Sequence, residues 1–66
     1  MDWNRIQGSW KQMTGKIKQK WADLTDDDLQ KAEGNREEFE GIIQQRYGLS
    51  KDAARKQIDD WMATLQ

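Results

Sequence analysis

The side chains that most often carry chemistry are scarce in this sequence. It has no cysteine and no histidine. That removes thiolate and imidazole nucleophiles, the commonest general base, and the usual ligands of zinc and iron. Carboxylates, lysines and the single Tyr47 remain. Acid–base catalysis needs one of these tuned toward neutrality in a cleft, and 66 residues leave little room for a cleft. No G-x-S-x-G, phosphate-loop or dinucleotide glycine fingerprint occurs. No catalytic residue, cofactor or small-molecule substrate is expected.

The acidic run Asp26-Asp27-Asp28 invites a calcium reading. With Asp23 as the first ligand, Thr25 and Asp27 take the third and fifth loop positions. Asp28 then stands where an EF-hand needs glycine, and Gly34 where it needs glutamate. The acids fit a helix start better, where they offset the helix dipole. No metal site is expected.

Lysines offer a different possibility. Lys and Arg total 11 against 12 Asp and Glu, so the net charge is −1. The charge is nevertheless segregated, with a basic first third and an acidic segment over residues 23–40. Lys11, Lys16, Lys18 and Lys20 lie off the apolar stripe of the first third and form a candidate contact surface for nucleic acid or anionic lipid. The simpler reading is a solvated face offset by the acidic segment packed nearby. No Arg-rich helix that could read base edges accompanies these lysines, so specific nucleic-acid binding is not expected.

The elements that must position these residues are helices. Trp3, Ile6, Trp10, Met13, Ile17, Trp21 and Leu24 recur in steps of three and four, which places them on one face of an amphipathic helix. Gly8-Ser9 interrupts that run, so the helix starts at Ser9 as N-cap, and residues 1–8 form a short or frayed lead-in. Thr25 caps a second helix, with Leu24 and Leu29 as a hydrophobic staple and an end near Glu33-Gly34. A third helix runs from Asn35 or Arg36 to Tyr47, closed by Gly48 in a left-handed conformation. Ser50 caps a fourth, reaching about Thr64. No stretch alternates as a strand does. The expected fold is all-α, with Trp10, Ile17, Trp21, Phe39, Ile43, Tyr47, Ile58 and Trp61 in one core.

The chain also resembles itself. A shift of 26 residues lays Gln7–Trp21 over Glu33–Tyr47, matching Gly8 with Gly34, Gly15 with Gly41, Ile17 with Ile43 and Gln19 with Gln45. After a one-residue gap, Leu24-Thr25 meets Leu49-Ser50. Two similar helical hairpins packed across each other are implied. Gly15 and Gly41 fall opposite the apolar stripes, where they either soften an exposed face or admit a partner backbone; softness is the preferred reading. So short a chain forms one domain at most. No run approaches the roughly 20 apolar residues of a membrane span, and the first residues lack a signal-peptide pattern. A monomeric, cytoplasmic protein is expected.

Trp10-Lys11-Gln12, Gly15-Lys16-Ile17-Lys18, Trp21 and Leu24-Thr25-Asp26-Asp27-Asp28-Leu29 resemble the pattern of the CsbD-like family. Glu33-Gly34, Gly41, Gln44 through Gly48, and Trp61 after an Asp pair continue the likeness across the chain. Met13 departs from it, standing where an aromatic is expected. The resemblance implies small bacterial stress-response proteins built as two crossed helical hairpins, without a defined activity and without catalytic or binding residues to carry over. A non-enzymatic stress-response protein, acting as a hydrophilic protectant, is the expected function. A small helical interaction module is the alternative, because Arg46-Tyr47-Gly48-Leu49-Ser50 resembles the turn of ubiquitin-associated-type domains. The basic first helix supplies the third reading, a weak and unspecific nucleic-acid binder.

Overall fold

Helix starts in this chain are written in short polar side chains. The computed structural model describes residues 2–65, and five helices follow in order: α1 (Trp3–Gly8), α2 (Trp10–Lys20), α3 (Asp26–Ala32), α4 (Arg36–Tyr47) and α5 (Lys51–Ala63). No strand occurs among the described residues. Asp2, Thr25, Asn35 and Ser50 cap α1, α3, α4 and α5, each side chain accepting a first-turn backbone N–H. At Thr25 the cap is reciprocal. The Asp28 N–H donates to Thr25 Oγ1 and the Thr25 N–H donates to the Asp28 carboxylate, each at 3.1 Å.

The count of five helices, against an expected four, is decided at Ser9. Its side chain makes no capping bond. Its backbone N–H instead donates to the carbonyls of Arg5 and Ile6, so Ser9 closes α1 as much as it opens α2. The lead-in is therefore a short helix, and Ile6 within it is fully buried. At its other end α2 stops at Lys20, where Trp21 leaves helical geometry. Trp21 and Leu24 lie beyond the helix whose periodicity they continue, yet both are buried. The turn that carries them is held by the Asp23 N–H, which donates to the Tyr47 hydroxyl at 3.1 Å.

Two helical hairpins result, α2–α3 and α4–α5, whose helix starts follow the internal repeat, although α3 has 7 residues against 13 in α5. Met13 and Phe39, Ile17 and Ile43, and Leu29 and Ala54 are matched positions, and all six are buried. Phe39 is the hub of the core. Its ring centroid lies 5.6 Å from Trp3, 5.8 Å from Trp10 and 5.4 Å from Trp21. The last two contacts are edge-to-face, the geometry an aromatic quadrupole favours. Trp61 continues the cluster at 5.3 Å from Trp21. Of the expected core, Trp10 and Tyr47 are only partly buried, and Met13 fills an aromatic's place at 4% exposure.

The indole N–H groups tie segments distant in sequence to one another. Trp3 donates to the Gly34 carbonyl at 2.8 Å, Trp10 to the Leu29 carbonyl at 3.0 Å, and Trp21 to Gln57 Oε1 at 3.0 Å. The Leu29 carbonyl also accepts the Glu33 N–H that closes α3, and Gly34 lies just past that end. That end closes on Glu33 at φ 45° followed by Gly34 at φ 84°. The second of these is buried against Gln7, which leaves no room for a side chain.

Candidate functional site

The exposed face of α2 carries the residues singled out for contact, and its helical period splits them. Lys11 and Lys18 stand on the flank toward α3, whereas Lys16 and Lys20 stand on the flank beside Trp61 of α5 and Leu65 just beyond it. Gln12, Gly15 and Gln19 run between the two flanks and are exposed. The four lysines thus share a helix without forming one patch. Lys18 is further withdrawn, because its ammonium pairs with Asp26 at the start of α3. Lys11, Lys16 and Lys20 have no acidic partner among the described residues.

Lys11 also lines an open groove of about 700 Å³ between α2 and α3. Trp10 and Leu29 supply its apolar floor, and Asp26 and Glu33 bring acids to its rim. The groove therefore carries mixed charge and little enclosure. It offers neither a converging set of donors for an anion nor a desolvated acid for proton transfer.

Titratable groups in perturbed surroundings are committed to the architecture. The Arg46 guanidinium bonds Asp28 through both carboxylate oxygens, at 2.9 and 3.1 Å. That contact and the Thr25 N–H hold the Asp28 carboxyl below the usual aspartate value. Glu40, 4% exposed, is the one buried acid among the described residues. Arg36 reaches it at 2.9 Å and Arg55 at 3.4 Å, and Arg36 also bonds Asp59 at 2.7 Å. This network joins α4 to α5 and packs Arg36 against the Trp3 ring, 6.0 Å from its centroid. Glu40 was not singled out from sequence. Its helical position, between Arg36 and Ile43 on the inward side of α4, was the available signal.

The sequence pattern of the CsbD-like family matches residues 4–56. The chain belongs to the CsbD-like family. Its relatives include a UPF0337 protein of Rhodopseudomonas palustris, 56% identical over the full length of both chains. A UPF0337 protein of Agrobacterium fabrum is 61% identical over 92% of this chain and 91% of its own. The UPF0337 protein YjbJ of Escherichia coli K12 is 52% identical over 82% of this chain and 78% of its own. No solved structure matches. Stress response is the association of the CsbD-like family, whose relatives are uncharacterised. In this CsbD-like chain no described helix is long and apolar enough to cross a membrane.

Proposed function

We propose that this chain is a non-enzymatic stress protein of the bacterial cytoplasm that works through its hydrated surface as a protectant. The observation that carries the reading is where its perturbed and buried charges go. Asp28 with Arg46, and Glu40 with Arg36 and Arg55, are spent on joining helices. A catalytic group, by contrast, must face a substrate. What remains outward is a shell of lysines, glutamates and glutamines over an aromatic core. The test is to take a labile reporter enzyme through freeze–thaw and drying with this protein or an equal mass of a folded control. More activity recovered with this protein supports the reading, and equal recovery removes it.

A second reading, weak polyanion binding, is favoured by the three lysines that lack acidic partners. Neutralising about three phosphates would give a salt slope no steeper than roughly −3 on a double-logarithmic plot with duplex DNA. A steeper slope or sequence preference would require contacts beyond Lys11, Lys16 and Lys20. The interaction-module reading draws no comparable support, because Tyr47 and Leu49 are packed against the core and the Tyr47 hydroxyl is engaged by Asp23.

A further inference from the structure

The internal repeat has an electrostatic side. The outer faces of α2 and α4 superpose in the repeat register, Lys11 on Glu37, Gln12 on Glu38, Gly15 on Gly41 and Gln19 on Gln45. All eight residues are exposed. The two faces therefore share a glycine at the centre and a glutamine beside it, and differ in charge.

Internal ion pairs sharpen the difference. The two arginines of α4, Arg36 and Arg46, bind Glu40, Asp59 and Asp28, and Glu37 and Glu38 on the outer face have no ion pair among the described residues. The α2 sequence contains no acid at all. A methyl group on either glycine would meet nothing within 4 Å, so each helix presents bare backbone at the middle of its face. Over Gly41 this becomes a hollow of about 450 Å³, walled by Glu37, Glu38 and Gln45 with Lys31 at its edge.

We propose that the α2 face of one copy of this chain docks on the α4 face of a second copy, crossing at Gly15 and Gly41. Side chains at the contact set how closely two helices approach, and glycine on both sides permits the shortest distance. Lys11 and Lys16 then face Glu37 and Glu38, and the glutamines pair across the crossing. The contact is heterologous, so it propagates head to tail. A contact between two single helix faces is small, as weak interfaces are, and it leaves a monomer in dilute solution.

The test is sedimentation equilibrium from micromolar to about 1 mM protein, since only weak, small interfaces are at issue. In low salt the average mass should rise above 7.8 kDa with concentration. It should return to the monomer at about 1 M salt, where the screening length falls to roughly 3 Å. A K11E/K16E variant and an E37K/E38K variant should each stay monomeric alone and associate when mixed, because each keeps the face the other has lost. Circular dichroism checks that both are folded. Replacing both glycines by alanine should raise the melting temperature by about 2–8 °C per site and abolish association. A monomer at every concentration overturns the proposal. So does a mixture that fails to associate, or an alanine variant that associates like the parent.

Discussion

Alanine at Gly34 should destabilise the protein, in contrast to alanine at the exposed glycines. Gly34 has φ 84°, where an L side chain meets its own carbonyl. An added Cβ would lie 2.8 Å from Gln7 Cγ and 3.5 Å from Gln7 Cα, so the side chain of Gln7 must turn away. The left-handed conformation costs about 1–2 kcal/mol, and driving Gln7 from its rotamer about 0.5–1.5 kcal/mol. The reduced freedom of the unfolded chain returns about 0.4–1 kcal/mol. The balance is a loss of about 1–2 kcal/mol, which lowers the melting temperature of a domain this size by roughly 5–15 °C. Urea unfolding followed by tryptophan fluorescence measures it directly. Repeating Gly34→Ala in a Gln7→Ala background removes Cγ and isolates the steric part, so the loss there should shrink by about 0.5–1.5 kcal/mol. A Gly34→Ala protein that melts at or above the parent temperature refutes the conformational argument. An undiminished loss without Gln7 Cγ refutes the steric one.

Phe39→Ala should cost about 3–5 kcal/mol, enough to leave the chain largely unfolded by circular dichroism, because three tryptophan rings lose their common neighbour. Trp21→Ala should do the same, and a variant of either kind melting near the parent would contradict the assigned core. Asp28 gives a pH signature. Its folded value lies below the ordinary 3.8, so its contribution is complete above that value and fades as pH falls through the folded one. Acid titration of stability should therefore be shallower below about pH 4 in Asp28→Asn than in the parent. Glu40→Gln strands Arg36 and Arg55 beside a neutral group, and should cost about 1–3 kcal/mol by thermal melting, less than a fully buried pair because both arginines are partly hydrated.

Local chemistry was legible in the sequence wherever a side chain acts on its own neighbourhood. Thr25, Asn35 and Ser50 bond an N–H three residues on, and Gly48 supplies its left-handed turn without help from elsewhere. Ser9 defeats the same rule because its backbone N–H is captured by the preceding helix. Trp21 and Leu24 keep the period of α2 after the helix has ended, since the chain turns there and both side chains still fall inward. The lysines of α2 were legible as a charge imbalance, but their division between two flanks was not. Lys18 is diverted by Asp26, eight residues ahead, and the Glu40 network depends on Arg55 and Asp59, fifteen and nineteen residues ahead. Pairings of that range follow from how the hairpins pack.

The indole bonds from Trp3 and Trp10 to the end of α3 bear on the order in which the molecule is made. Their acceptors lie 31 and 19 residues downstream, and the ring on which both indoles rest belongs to Phe39. Synthesis runs from the N-terminus, so the first helices leave the ribosome before these acceptors and the Phe39 ring exist. The later helices pair with sequence neighbours, α3 with α4 and α4 with α5, and short loops close quickly. These two tryptophan side chains therefore have little but each other to pack against until the second half has formed a surface to receive them, and it is during translation that this chain's apolar surface is most exposed to other proteins.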